Sequence, residues 1–298
     1  RGLGDVYKRQ AINYIPLKIS LLSLKRAELP PYLGSTLRGV IGQSLYRTGR
    51  EAYEYLYVNG KKSEGVQDIV KPYVIIPPET HKAQMVIEQG EELNFEFLLL
   101  GNAEKYVPSL VVALQNICRY GLGAQRYPFC LSRIMNSQDQ RLLWRNDTYY
   151  GMGAHDIKLP FYELTDVTGT IIRLCTPLRI RHKGQLLTDI SFLTLIRNIV
   201  SRIAALTERY GGTIDREEAD RILLLAAEIK VTKADLRLEH LERYSNRLQE
   251  KMDLSGLLGE VEFEGDLTPF IPWLLAAQIL HVGRNTTFGM GRIEVFFL

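Results

Sequence analysis

The chain has 298 residues, of which 46% are hydrophobic and 24% charged, with a net charge of +3 and a pI near 8.6. This globular mix fills one large domain or two of about 150 residues, and its mild positive excess permits a polyanionic partner without requiring one. Three cysteines without paired spacing exclude a disulfide framework or zinc site and point to a reducing, cytoplasmic setting, while no apolar run approaches the ~20 residues of a membrane helix and no secretory signal is visible.

Residues 1–10 fit nothing that follows; they read as translated adapter sequence and are set aside. Ile12 to Leu24 is patterned as a strand. Leu33, Leu37, Ile41 and Leu45 form the stripe of an amphipathic helix behind Pro30 and Pro31. Residues 53–70 are polar and read as a loop. Leu93, Phe95, Phe97 and Leu99 alternate as a strand. A helix from about Glu104 carries Val107, Leu110, Val111, Leu114 and Cys118 on one side and stops at Gly121. A strand follows from Phe129 to Ile134.

The second half repeats the order. Ile172, Leu174 and Ile180 mark a strand interrupted at Pro177. Asp189 is placed to cap a helix bearing Phe192, Ile196, Ile199, Ile203 and Leu206. Residues 211–250 read as a charged helical insertion with one hairpin strand, and Val261 and Phe263 as another strand. Thr268 and Pro269 open a helix that stops at Gly283. After a glycine-rich loop, Ile293, Val295 and Phe297 form the last strand. The predicted fold is α+β: two tandem ferredoxin-like (βαββαβ, RRM-like) domains, residues 11–165 and 166–298, with a glycine-rich loop before the final strand.

That loop runs His281-Val-Gly-Arg-Asn-Thr-Thr-Phe-Gly-Met-Gly-Arg292. Gly283, Gly289 and Gly291 permit close backbone approach. Successive amides in such a turn can cradle an anion, with Arg284 and Arg292 adding charge and Thr286 and Thr287 adding hydroxyls. The alternative is a helix cap and a tight turn into an edge strand. The order helix, loop, strand is not the dinucleotide fingerprint, and no Gly-Lys-Ser/Thr makes it a nucleotide P-loop. Gly121-Leu-Gly-Ala-Gln-Arg126 is a shorter version in the first half.

Three stretches carry a family likeness: Leu29-Pro-Pro-Tyr-Leu-Gly-Ser-Thr-Leu-Arg-Gly39; Thr176-Pro-Leu-Arg-Ile-Arg-His-Lys-Gly184 with Ala205 to Gly211; and Arg243-Tyr-Ser-Asn-Arg247 continuing to the terminal loop. In these the sequence resembles the CRISPR-associated endoribonucleases of the RAMP superfamily, which cut repeat RNA. The resemblance implies two ferredoxin-like domains and a cut without metal or cofactor. The RNA's 2′-hydroxyl attacks the adjacent phosphate, leaving a 2′,3′-cyclic phosphate and a 5′-hydroxyl. It also implies RNA held in a cleft between the domains, and CRISPR repeat RNA and effector-complex subunits as partners.

Such chemistry needs a base, an acid and positive charge on the phosphorane. His281 is the first candidate for proton transfer; its alternative role is a helix C-terminal cap. Many relatives place a catalytic histidine near the first helix, but this chain has none before His81. Tyr32 is placed to orient the 2′-hydroxyl and Arg38 to hold the phosphate, or both to pack locally; Lys18, Lys25 and Arg26 are weaker candidates. Arg179, Arg181, His182 and Lys183 leave a strand as a basic run, with Arg179 and Arg181 on one side. Arg243, Tyr244 and Arg247 combine charge with a stacking ring, unless they lie on a polar helix face. Arg126 adds a phosphate contact from the first half. His81, His155 and His240 have no supporting neighbours.

Overall fold

The computed structural model describes residues 10–58, 69–79, 84–151, 155–158, 164–245 and 250–298. Residues 1–9 of the proposed adapter segment, His81 and Arg247 lie outside them, while Gln10 opens the first strand. The chain divides into two compact units, residues 13–156 and residues 157–298, the latter taking in Gln10 to Ile12.

The first unit is built from β1 (Gln10–Ser23), α1 (Gly34–Thr48), β2 (Tyr73–Ile76), β3 (Glu92–Leu100), α2 (Val107–Gln115) and β4 (Phe129–Asn136). The strands pair antiparallel in the order β2-β3-β1-β4, the ladder of a ferredoxin-like βαββαβ domain. A hairpin of β5 (Leu142–Arg145) and β6 (Thr148–Tyr149) extends the β4 edge. Side chains alternate across a strand, so Leu93, Phe95, Phe97 and Leu99 enter one core with the α1 stripe of Leu33, Leu37, Ile41 and Leu45. Residues 53–70 are not all loop: Glu54–Val58 form a π-helical turn that buries Leu56. Cys118 is exposed rather than on the α2 stripe. The chain tightens there into a 3₁₀ turn, Ile117–Arg119, and Ile117 takes the buried place. Gly39 sits on the exposed side of α1 with nothing near its missing side chain. Gly39→Ala is therefore expected to stabilise the first unit by about 0.5–1 kcal/mol in chemical denaturation.

The second unit comprises β7 (Gly169–Leu178), β8 (Arg181–His182), β9 (Gln185–Leu186), α3 (Phe192–Tyr210), α4 (Arg216–Ala226), β10 (Lys230–Glu239), β11 (Glu242–Ser245), β12 (Glu250–Asp253), β13 (Gly256–Glu264), α5 (Ile271–Leu280) and β14 (Ile293–Phe297). Its antiparallel sheet runs β10-β13-β7-β14, the same order as in the first unit. Phe192 of α3 meets Phe263 at 5.0 Å and Phe270 at 4.8 Å between ring centroids, both edge-on, a favoured aromatic geometry.

Four boundaries differ from the sequence reading. β7 continues through Pro177, where only the ladder register shifts. Ser191, not Asp189, caps α3, its hydroxyl accepting from the Thr194 amide. Residues 211–250 hold one helix, the long strand β10 and half of a ribbon, with Arg243 and Tyr244 on β11 rather than on a helix. The last helix ends at Leu280, before Gly283.

On the open face of this sheet, Arg173 bridges Glu260 (2.7 Å) and Glu294 (3.2 Å) and lies over Phe296. No helix among the described residues is long and apolar enough to cross a membrane.

Candidate nucleic-acid interface

The terminal glycine loop folds inward. The Val282 amide donates to Gly291 O (2.9 Å), Arg284 to Arg179 O (2.9 Å) and Gly291 to Pro177 O (3.1 Å). Those of Phe288, Gly289 and Met290 donate to carbonyls of Asn285 and Thr286. Thr176 Oγ1 donates to Gly289 O (2.7 Å) and accepts from the Arg292 amide (2.9 Å). Thr286, Thr287, Phe288 and Met290 are buried. The glycines answer to the chain's own backbone. A Cβ at Gly283 would lie 2.6 Å from Arg179 O, and one at Gly291 1.7 Å from Val282 O, both at positive φ. The expected amide cradle for phosphate is therefore corrected. Gly283, Thr286, Thr287, Gly289 and Gly291 build a scaffold that clamps the end of β7: the amides of Gly289 and Gly291 have internal acceptors, both threonines are buried, and Gly283 packs against the Arg179 carbonyl.

His281 is corrected with it. The residue is 1% exposed and leaves α5 at φ 60°, ψ 168°, a region that costs a residue with a β-carbon about 1–3 kcal/mol. Its Nδ1 lies 3.1 Å from Met290 O, and Nε2 is buried without a partner. Burial pulls the imidazole down to about 3; the Met290 carbonyl opposes this, and Arg202 and Arg292 reinforce it. A neutral, enclosed ring cannot exchange protons with bound RNA. Arg202 sits beside it inside the fold. Its Nε donates to Leu280 O (2.8 Å), its Nη2 has no partner, and burial lowers the guanidinium to about 10. The sequence carried a signal for Arg202: it lies three residues after Ile199 and four before Leu206, on the apolar stripe of α3.

This burial has a pH consequence. The folded value is depressed below the ~6.5 of an unfolded histidine, so the contribution is complete above that pH and is lost as pH falls from ~6.5 towards 3. At about 1.4 kcal/mol per unit, denaturation at about pH 5 should show a loss near 2 kcal/mol relative to about pH 7.5. His281→Gln should lack this component.

Arg179 and Arg181 do not share a surface. β7 stops at Leu178, so the strand alternation does not carry across them. Arg179 is 3% exposed. Its Nε donates to Asn285 Oδ1 (3.0 Å), its Nη1 to Ser255 O, and its Nη2 lies 3.6 Å from Asp253. Burial lowers its pKa; Asp253 offsets this in part, and Arg181 and Arg284 add to it. Arg179 is thus a strut for the loop and not a phosphate contact. Asn285 and Ser255, its partners, were not among the residues the sequence singled out. By contrast Arg181, His182 and Lys183 are exposed on the β8–β9 hairpin. Lys183 and Gly184 turn it in two residues, both at positive φ, the mirror-image turn that suits a tight hairpin. Arg284 is half-buried within electrostatic reach of Arg179, and Arg292 is half-buried beside His281. Of the cationic candidates in this stretch, the hairpin tip is therefore exposed, while Arg284 and Arg292 are half-buried.

In the first unit, Tyr32 is half-buried and burial pushes its phenol well above the ordinary value, so it keeps its proton. Arg38 donates from Nε to the Tyr73 hydroxyl (3.0 Å) and lies 5.1 Å from the centre of the Tyr57 ring, which makes it part of an aromatic cluster. Lys18 is half-buried, Lys25 exposed, and Arg26 pairs with Glu28 and Glu88. Arg126 is exposed, on a turn closed by the Leu122–Tyr127 bridge. His240 is exposed. Among the described residues, no group of three or more His, Cys, Asp or Glu is arranged to hold a metal ion.

The class of fold is two ferredoxin-like domains in series, the second closing on a glycine-rich helix-to-strand turn. Residues 172–293 match the family described as CRISPR-associated endoribonuclease Cas6, and residues 12–156 match the AF_1859_N family, an N-terminal domain. The fold resembles a Cas6 product complex (TM-score 0.62, 14% identity, 95% of this chain and 100% of that one). It also resembles Cas6 from Thermus thermophilus (0.58, 14%, 96% and 99%) and a Cas6-RT-Cas1–Cas2 complex (0.61, 14%, 98% and 47%). A comparison with curated protein sequences gives no match.

Proposed function

We propose that the chain cuts CRISPR precursor RNA within its repeats, in the cytoplasm, by attack of the RNA's own 2′-hydroxyl, without a metal. The products would carry a 2′,3′-cyclic phosphate and a 5′-hydroxyl. The observation that carries this reading is the Cas6 match over residues 172–293, which includes the exposed tip Arg181-His182-Lys183 and Arg284. The three tip side chains face solvent and would hold phosphates, with affinity falling as salt rises. With His281 enclosed, His182 is the histidine of this tip that can reach an RNA and exchange a proton with it. Tyr32 is a phenol that donates but does not serve as a base. Product complexes of Cas6 among the structural neighbours support RNA as the ligand. Effector-complex subunits that receive the processed RNA are the further partners of this reading.

A second reading, a non-catalytic RNA-binding subunit of the same fold, is favoured by the enclosure of His281 together with the lack of any histidine before His81. One experiment separates the two. The protein is incubated with repeat RNA in EDTA, and the product ends are analysed. Cleavage to a cyclic phosphate, abolished by His182→Ala while affinity stays, is the expected result. Tight binding of several repeats with no product supports the subunit.

A further inference from the structure

We propose that the β5–β6 hairpin of the first unit is a docking site for single-stranded RNA, stacking bases on Tyr149 and Tyr150 and holding their phosphates with Arg141 and Arg145. The inference rests on the RNA reading above and adds to it a second site, in a segment that no candidate residue had occupied.

Two consecutive tyrosines are uncovered, Tyr149 43% and Tyr150 60% exposed, one on each face of the ribbon, since Tyr149 stands opposite Trp144 and the Tyr150 amide donates to Leu143 O. A cavity of about 670 Å³ opens beside Tyr150, lined by Arg141, Leu142, Tyr150 and Gly151. Arg141 and Arg145 are both exposed and have no ion-pair or hydrogen-bond partner for their guanidinium groups among the described residues. Arg145 stands directly opposite Arg133 in the ladder. Only Arg133 has a counter-ion, Glu92 at 2.9 Å; like charges facing across strands are unfavourable without one. The nearby carboxylates already have partners: Asp139 accepts from the Arg141 amide (2.9 Å), and Asp147 from Gln115 Nε2 (3.2 Å).

The hairpin is also rigid. Leu143 and Trp144 anchor it in the core, and Asn146 and Asp147 close it in a two-residue turn at positive φ. Rings and cations are thus held in place before a ligand arrives. Uncovered rings interleaved with unpaired guanidinium groups fit a flexible polyanion that carries flat bases, which is single-stranded nucleic acid.

The test uses the full chain and a fluorescein-labelled oligouridine, with repeat RNA as a second probe. The double variant Tyr149→Ala/Tyr150→Ala is expected to weaken oligouridine binding by about tenfold or more, since stacking contributes that much per base. Arg141→Ala/Arg145→Ala should weaken it and flatten its salt dependence by roughly the two lost phosphate contacts. Oligouridine carrying 5-iodouridine should photocrosslink to the peptide holding Tyr149 and Tyr150. The hairpin-tip variant Arg181→Ala/Lys183→Ala is expected to lose repeat RNA while keeping oligouridine. All four side chains changed in the first unit are exposed, so the variants should fold, as checked by unaltered melting. Oligouridine affinity unmoved by both double variants overturns the site even if repeat RNA binds and is cut, and is the outcome a protein-docking role would give. Failure of the wild-type chain to bind either RNA overturns the RNA reading itself.

Discussion

Gly291→Ala should cost the second domain at least ~4 kcal/mol or prevent it from folding. The added methyl would lie 1.7 Å from Val282 O, 2.8 Å from its carbonyl carbon and 3.0 Å from its nitrogen. All three are backbone atoms, so no rotamer change makes room. The same substitution strains a φ of +71° and separates the amides of Val282 and Gly291 from their acceptors, each loss leaving a buried polar group. Gly90→Ala is the control: its φ is +86° but nothing lies within 4 Å, so only backbone strain of about 1–2 kcal/mol is expected. The two tryptophans make the domains separately readable, Trp144 in the first unit and Trp273 in the second. In a Trp144→Phe background, the Trp273 transition should shift to much lower urea for Gly291→Ala. An unchanged transition would refute the clamp.

Arg179→Ala is expected to destabilise the second domain by about 2–4 kcal/mol, the cost of leaving two enclosed acceptors without their donor. The side chain ties Asn285 in the loop to Ser255 before β13 and to Asp253 at the end of β12. Its removal leaves the Ser255 carbonyl and the Asn285 amide oxygen without this donor. Arg179→Lys should recover little, because one ammonium does not reproduce a planar fork. Because the group is enclosed, the loss should change little with ionic strength, unlike the RNA affinity of Arg181 and Lys183. A cost under ~1 kcal/mol would show that the strut carries no load.

The periodic elements were legible in the sequence, and for one reason. α1, α3 and β3 each put apolar residues at a fixed period, and each buries that stripe. The tandem ferredoxin-like order followed. The direction of the glycine loop was not legible, because Gly283 and Gly291 are required equally by a bound phosphate and by the chain's own carbonyls. Adjacency misled in the same way at Arg179 and Arg181, two residues apart, where the end of β7 sends one inward and one out. His281 next to Gly283 looked accessible; the short apolar helix α5 is buried to its last residue and takes the histidine with it. Arg202 could have been read from its place on the α3 stripe. The Tyr149–Tyr150 hairpin could not be weighed until exposure and the missing counter-ions were known.

The open face of the second sheet has a consequence for how RNA meets this surface. Glu260, Glu262 and Glu264 alternate along β13, with Asp235 and Glu294 on neighbouring strands, and Arg173 is already shared between two of these carboxylates. Lys230 and Lys233 stand opposite Glu264 and Glu262, and the exposed Phe296 ring lies on the same face under Arg173, so this is a surface of mixed charge whose cations are matched to carboxylates and not a phosphate track. Added electrolyte screens these surface charges and loosens the grip of Arg181 and Lys183 alike. Stray RNA should therefore cling most in dilute buffer and be shed first as electrolyte is added.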